Sequence, residues 1–395
     1  MKPEILRAWW FQRQGLDHPS KLSAADVLEK TGWSRSVGGA NPYLAIWARN
    51  RSSRESIDKA LEKESIHELP SARGCTYIVP KNHYALALKI GQPKGDAPDL
   101  TGAKKFLGVT EREIEKLETK ILEALKKTAM DPREIKEVVG DAARSLGEAG
   151  KKRGTTTTLP LALGRLQSNG RIRRISNDGR IDNQRYKYAA WNPSPLANYK
   201  LSAEEAHVEL AKLYFKWIGP ASLANFQWFS GLGVAAAKSA LAPLKLQPLE
   251  DGSDLLLLTS DRDSLHSFKS PKEEQIALVG CLDNIVHLRR DLSAHLDEKD
   301  KNQKIRGDKG MQTFGSVQDL NSHGIFDRGR IIGIWEYDAE KEEIVWMTFS
   351  RPSSGVKKAV AEMEALVRDQ LGDARSFSLD SPASRKPRLE AIRNA

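Results

Sequence analysis

Helical and extended periodicities alternate along the 395 residues and predict an α+β fold. The expected architecture is a tandem of three-helix units, each closing on a β-hairpin, ahead of a C-terminal antiparallel β sheet or barrel. Three observations carry this. Segment 131–191 reads as three short helices followed by two extended runs joined at Asn177-Asp178-Gly179, a strong hairpin turn. A second copy of that order follows the proline-containing break at 192–195, and beyond residue 275 the apolar runs become strand-sized.

The elements divide into five stretches. Residues 1–107 are expected to form an N-terminal winged-helix-like module. Ser23 caps a helix over 24–30, Leu44, Ile46 and Trp47 mark another over 42–50, and 56–63 forms a short amphipathic turn. The run 75–79 has strand composition and is stopped by Pro80. Between 91 and 107 the composition turns to Gly, Pro, Asp and Lys, which predicts a mobile connection or boundary.

Residues 108–192 form the basic winged helix-turn-helix module. Thr110 and Glu113 make a capping box ahead of Ile114, Leu117, Ile121 and Leu125. Asp131-Pro132 opens a helix through Val139, a second is expected over 142–146, and a third over 155–167 bears Leu159, Leu163 and Leu166. Strands 171–176 and 185–191 make the wing. Residues 193–270 repeat the theme with a helix over 203–217 capped by Ser202, short helices 222–229 and 234–241, and a hairpin over 244–259. Residues 271–375 are the β unit, with strands near 276–281, 324–326, 330–337 and 343–349 and a last helix over 356–371. The charged run 297–310, including Lys309, reads as a flexible loop, and 376–395 as a flexible basic tail.

Composition narrows the function. Lys plus Arg outnumber Asp plus Glu by 62 to 52, a formal net charge of +10, which favours a polyanionic partner. No apolar run approaches the roughly 20 residues of a membrane span, and the opening residues lack a signal-peptide core. The two cysteines, Cys75 and Cys281, lie far apart and suit reduced thiols. The eight histidines show no paired metal-ligand spacing, and no phosphate-loop or dinucleotide motif occurs, so neither metal nor cofactor is expected. The expectation is a cytoplasmic monomer, nucleoid-associated if bacterial, that binds double-stranded DNA.

The charge is concentrated in the basic module. Lys151, Lys152, Arg153, Arg165, Arg171, Arg173, Arg174, Arg180, Arg185 and Lys187 are opposed in the helix and wing only by Asp178 and Asp182. In such a module the third helix enters the major groove while the wing touches backbone or minor groove. Thr155 and Thr156, at the expected start of that helix, can donate to a phosphate or simply cap the entry. Arg35, beside the Gly-rich stretch 36–41, offers a further phosphate contact or lies at a tight turn.

Several segments, in order, resemble the AlkZ/YcaQ-like family of winged-helix DNA glycosylases. They are NPYLAIWAR from Asn41 to Arg49, RGCTYIV from Arg73 to Val79, GPAS from Gly219 to Ser222 with WFSGL at 228–232, LDN at 282–284 with Arg289 and Arg290, and RGRIIGIW at 328–335. The resemblance implies excision of alkylated bases or unhooking of interstrand crosslinks in damaged DNA. It also implies a Gln-x-Gln or Gln-x-Asp pair ahead of Pro42 that positions water at the sugar carbon. One family spacing places the pair on Thr31 to Trp33 and a tighter one on Gly38 and Ala40, and neither holds glutamine. Ser34, Ser36 and Asn41 are the uncharged polar substitutes nearby, with Ser36 and Asn41 the catalytic candidates, and none is a general base at neutral pH. Gln12 and Gln14 lie too early and belong to the opening helix. The sequence therefore predicts a DNA-binding member without the usual catalytic motif. The alternatives are an active glycosylase with replaced residues and a winged-helix transcriptional regulator.

Overall fold

Ser23 accepts a hydrogen bond from the Asp26 amide and Asp26 accepts one from the Ser23 amide, a reciprocal cap that fixes where the first repeated unit begins. After an opening helix α1 (Pro3–Arg13), that unit runs α2 (Ala24–Thr31), β1 (Ser34–Arg35), α3 (Asn41–Asn50), α4 (Arg54–Glu62), β2 (Ile66–Pro70) and β3 (Thr76–Pro80). Its strands form an antiparallel sheet in the order β1-β3-β2. The computed structural model describes residues 1–95, 97–307 and 310–395, and over 93–99 the backbone alone.

The segment expected to be a mobile connection is helical. Helix α5 (Tyr84–Gly95) and helix α6 (Ala97–Leu107) flank residue 96, which lies outside the described residues. Leu86, Ala87, Leu88 and Ile90 bury one end, and Leu100 and Ala103 enter the core of the basic module, so apolar anchors outweigh the glycines and prolines between them.

The basic unit follows as α7 (Glu111–Leu125), α8 (Pro132–Val139), α9 (Gly147–Lys151), α10 (Leu159–Ser168), β4 (Ile172–Ser176) and β5 (Tyr186–Ala190). Thr110 and Asp131 cap α7 and α8 as expected. The helix expected over 142–146 instead lies at 147–151, behind a single 3₁₀ turn. An isolated bridge between Met130 and Tyr188 adds a third edge to the hairpin. The unit has its own apolar core, from Ile114 through Leu166 to Tyr188.

The next unit repeats the order of the first: α11 (Ala203–Ile218), β6 (Ala221–Ser222), α12 (Leu223–Ser230), α13 (Val234–Leu241), β7 (Leu246–Pro248) and β8 (Leu255–Leu258), with strands ordered β6-β8-β7. One apolar cluster contains Trp9, Trp10, Trp33 and Tyr77 from the first 107 residues together with Tyr214, Trp217 and Phe229, so these two units share a core.

Beyond α14 (Arg262–Ser267), the C-terminal unit builds a four-stranded antiparallel sheet in the order β14-β13-β12-β9, an open sheet and not a barrel. Its parts are β9 (Ile276–Val279), α15 (Asn284–His287), β10 (Lys304–Gly307), β11 (Gly310–Thr313), β12 (His323–Asp327), β13 (Arg330–Asp338), β14 (Glu343–Thr348) and α16 (Ser354–Leu366). The expected flexible loop 297–310 carries β10, which pairs with β11 because Ile305 and Phe314 reach the core beside Leu292 and Leu296. Asp308 and Lys309 lie outside the described residues.

The tail departs furthest from expectation. Residues 382–393 form helix α17 (Pro382–Arg393), opened by a capping box at Ser381 and Ser384. Arg385 pairs with Asp373, Arg388 with Glu336 and Asp380, and Arg393 with Asp338 and Glu343, while Leu389 and Ile392 enter the core of the sheet. Arginines that read as solvated are held by acids from β13, β14 and the preceding turn. Arg388→Ala strands the fully buried Glu336 and is expected to cost about 3 kcal/mol in urea unfolding, the usual consequence of removing one partner of a buried pair. A loss below about 0.5 kcal/mol, typical of an exposed pair, would mean that the helix is not docked.

Candidate nucleic-acid interface

The basic module distributes its charge differently from the sequence expectation. Of α10, eight residues including Arg165 are buried, so it cannot lie along a DNA groove as a recognition helix. Arg165 turns inward onto Glu118, 2.5 Å away, and onto Glu111. Arg173 pairs with Glu64 at 2.6 Å, and Arg174 lies 3.7 Å from Glu68 and 4.3 Å from the Tyr186 ring centroid, so both arginines face the first unit. Arg180 pairs with Asp182 and donates to the Leu371 carbonyl. Thr155 and Thr156 precede α10 instead of opening it, and the Thr156 carbonyl accepts from the Leu146 amide. Of the cations singled out from the sequence of this module, Lys151, which pairs with Glu148, and Lys152, Arg153, Arg171 and Arg185 are exposed. Arg153 lies over the exposed Phe106 ring at 4.1 Å. The sequence showed the charge but not the carboxylates that other units bring to it.

A second group of cations meets at the edge of the first unit. The strand sequence of β1 sets Arg35 opposite Tyr77 on β3, and its guanidinium lies 5.5 Å from that ring and donates to the Thr76 carbonyl. Between β2 and β3, Arg73 sits in the left-handed region with φ +61° and stacks 3.4 Å over Trp228 of α12. Arg290, just past α15, lies 4.2 Å over the same ring and pairs with Asp319. Trp228 is fixed by donating its indole N–H to the carbonyl of His287, whose imidazole is 6.2 Å away. Three guanidiniums thus gather with one carboxylate between them. Buried polar atoms here lack partners: Arg73 Nη1, Tyr77 Oη and His287 Nε2. Buried groups of this kind are almost always satisfied, so the arrangement suits an anionic, hydrogen-bonding ligand.

Burial pushes the His287 imidazole down to about 3, with the charges of Arg73, Arg35 and Arg290 acting the same way. It is therefore neutral at pH 7, an uncharged hydrogen-bonding group and a poor proton acceptor. Burial likewise lowers His67 to about 3 and His295 to about 4, and depresses His83 and His323. These imidazoles protonate in the unfolded chain near pH 6.5 but not in the folded one. Their stabilisation is present above pH 6.5 and is lost as pH falls below it, down to about 3 for His67 and His287 and about 4 for His295. The unfolding free energy from urea titrations is expected to fall between pH 7.5 and 5.5, by about 1 kcal/mol for each of His67, His287 and His295. A flat profile would mean that these rings are solvated.

The two catalytic candidates are both engaged elsewhere. Ser36 is buried and donates to Glu68 Oε1 at 2.6 Å. Asn41 is buried, and its amide nitrogen donates to the Arg35 carbonyl at 2.9 Å and to Ser34 Oγ at 3.3 Å while its Oδ1 has no partner among the described residues. Gln14 is also buried, donating to the Thr31 and Trp217 carbonyls and accepting from Arg49. Glu68 is the carboxylate that Ser36 contacts, and sequence reasoning missed it because β2 lies about thirty residues from β1. His287, Trp228 and Tyr77 were missed as site residues as well. Arg73 and Arg290 stood in recognisable segments with no role assigned.

Among the described residues no group of three or more His, Cys, Asp or Glu side chains is placed to hold a metal, and no helix is long and apolar enough to cross a membrane. A family model described as DNA glycosylase AlkZ-like matches residues 32–375. The fold is similar to the solved structure of Streptomyces sahachiroi DNA glycosylase AlkZ, with a TM-score of 0.71 at 19% identity, covering 95% of this chain and 98% of that one. No curated protein matches the sequence.

Proposed function

The chain belongs to the AlkZ-like DNA glycosylase family, and from that premise we propose that it is a DNA-repair protein that binds damaged duplex at the Arg35, Arg73 and Arg290 cleft. The observation carrying this reading is the meeting of three guanidiniums with unpartnered buried donors beside the segment where the family motif is expected. The order helix, strand, two helices, two strands in the first and third units, approximated in the basic unit, supports reading them as winged helices. In this reading the exposed Lys152, Arg171 and Arg185 extend the phosphate track. A sequence-reading regulator would need a recognition helix free to enter a groove, whereas α10 is buried.

The chemistry favours binding over turnover. Departure of an alkylated base needs a group that holds and activates water at the sugar carbon. Arg35 is cationic, Ser36 is committed to Glu68, and the Asn41 amide nitrogen is committed to the Arg35 carbonyl and Ser34, leaving an amide oxygen that is no general base. One observation favours a second reading, an active enzyme with replaced residues: the Ser36–Glu68 contact puts a carboxylate beside the motif segment. A single-turnover assay on duplexes with N7- or N3-alkylated purines or a nitrogen-mustard crosslink separates the two. Tight binding without alkali-labile abasic sites is expected. Product that disappears in Glu68→Gln would establish the second reading instead.

A further inference from the structure

The chain between α16 and α17 runs as a strap across the Gly-rich segment that follows β1. The Ala40 amide donates to the Arg375 carbonyl at 2.9 Å, and the Ser378 amide donates to the Val37 carbonyl at 3.0 Å. Gly39 permits this approach, because a Cβ there would collide with the Arg375 and Ser376 carbonyls. From below, the Cys281 thiol donates to Ser376 Oγ at 3.2 Å, and the Ser376 amide donates to Asp380, which is itself held by Arg388. From the side, Arg375 donates to the Asp182 carbonyl in the wing loop at 3.1 Å, and Gln184 of that loop packs over Gly38. The backbone of 375–378 is therefore pinned on three sides.

On and just past this pinned backbone are two apolar side chains that reach solvent: Leu379 is 90% exposed and Phe377 42%. Holding Leu379 out costs its burial energy, and the described fold covers Phe377 only in part. Two side chains are too small a patch for protein docking, which needs contiguous apolar area of several hundred Å². They do match an apolar wedge set among phosphate contacts. Arg185, exposed and without an ion pair among the described residues, lies in the same wing loop as Asp182 and Gln184. Arg35 of the cleft is two residues from Val37, to which the strap is bonded. The tip lies just past the residues matched by the family model, which end at Arg375.

We infer that Phe377 and Leu379 form a wedge that enters a base step of bound duplex DNA and unstacks it beside the arginine cleft. This rests on the DNA-binding reading above. The cleft and wing loop bind phosphate, and the wedge separates the bases while adding little affinity, since the cost of unstacking offsets its apolar contact.

The test uses the full chain and a duplex with a tetrahydrofuran abasic analogue next to 2-aminopurine, with binding read by anisotropy and unstacking by 2-aminopurine fluorescence. Wild type is expected to bind and to raise the fluorescence. Leu379→Ser, at a position too exposed to affect folding, is expected to lose at least about half of that rise while Kd changes less than about threefold. Adding Phe377→Ser, with folding checked by thermal melting, is expected to remove the rest. Binding by wild type without a rise, or an undiminished rise in Leu379→Ser, overturns the wedge but leaves the DNA-binding reading standing. Absence of binding by wild type overturns that reading, and the wedge with it.

Discussion

Replacing Arg73 and Arg290 together by alanine is expected to weaken duplex binding about 10- to 30-fold near 0.15 M salt and to flatten the dependence of log K on log[salt] by about 1 to 2, the lower figure applying to the extent that Asp319 already neutralises Arg290. Each guanidinium that neutralises a phosphate releases about 0.9 of a condensed counterion, so two lost contacts give the slope change, and their combined energy gives the affinity loss. Both side chains stack on Trp228, which orients them before DNA arrives, so little rotamer entropy offsets their contribution. Arg173→Ala with Arg174→Ala provides the contrast. The sequence places those two in the wing as phosphate contacts, but in the fold they meet Glu64 and Glu68. Their removal is expected to change affinity less than about threefold, consistent with charges already neutralised within the protein. Anisotropy titrations over a salt series measure both effects, and equal losses from the two double variants would return the interface to the wing.

The second large effect is on stability. Arg49→Ala is expected to cost about 4 kcal/mol, because it leaves a buried carboxylate without its partner. Arg49 and Asp283 are both buried and joined by two hydrogen bonds of 2.7 and 2.8 Å, and Arg49 also donates to Gln14. Asp283 in turn caps α15, accepting from the Ile285 amide at 3.0 Å. The pair ties the helix that follows the motif segment to the one that carries His287, so its loss should loosen the cleft as well as the fold. Arg49→Lys, which keeps the charge but not the bidentate fork, should recover only part of the stability. Urea unfolding of the three proteins checks this, and a cost near 1 kcal/mol for Arg49→Ala would mean that water reaches the pair.

Local signals were legible in the sequence and long-range pairings were not. Ser23, Thr110, Asp131 and Ser202 cap helices where expected, because a cap needs only residues three positions apart. The hairpin lies where the strand runs place it, but the loop 177–185 joins its strands, not a tight turn at 177–179. The tail helix was hidden, since its stability comes from Glu336, Asp338 and Asp373 and its apolar anchors are only Leu389 and Ile392. The cleft was half visible: Arg35 was a candidate from its place beside the glycines, while Arg73, Trp228 and Arg290 come together only through the shared core of the first and third units. Conversely, Arg165 looked exposed in sequence because Glu111 and Glu118 sit on a different helix.

The central claim is that DNA occupies the cleft between the first unit and α15. Hydrogen–deuterium exchange of the full chain, free and bound to an alkylated duplex, tests it most directly. Slower exchange on binding is predicted in 35–41, 73–77 and 284–290, with weaker protection in the wing loop 177–185. Protection confined to α10 and the segment 151–158, with the cleft unchanged, would contradict it.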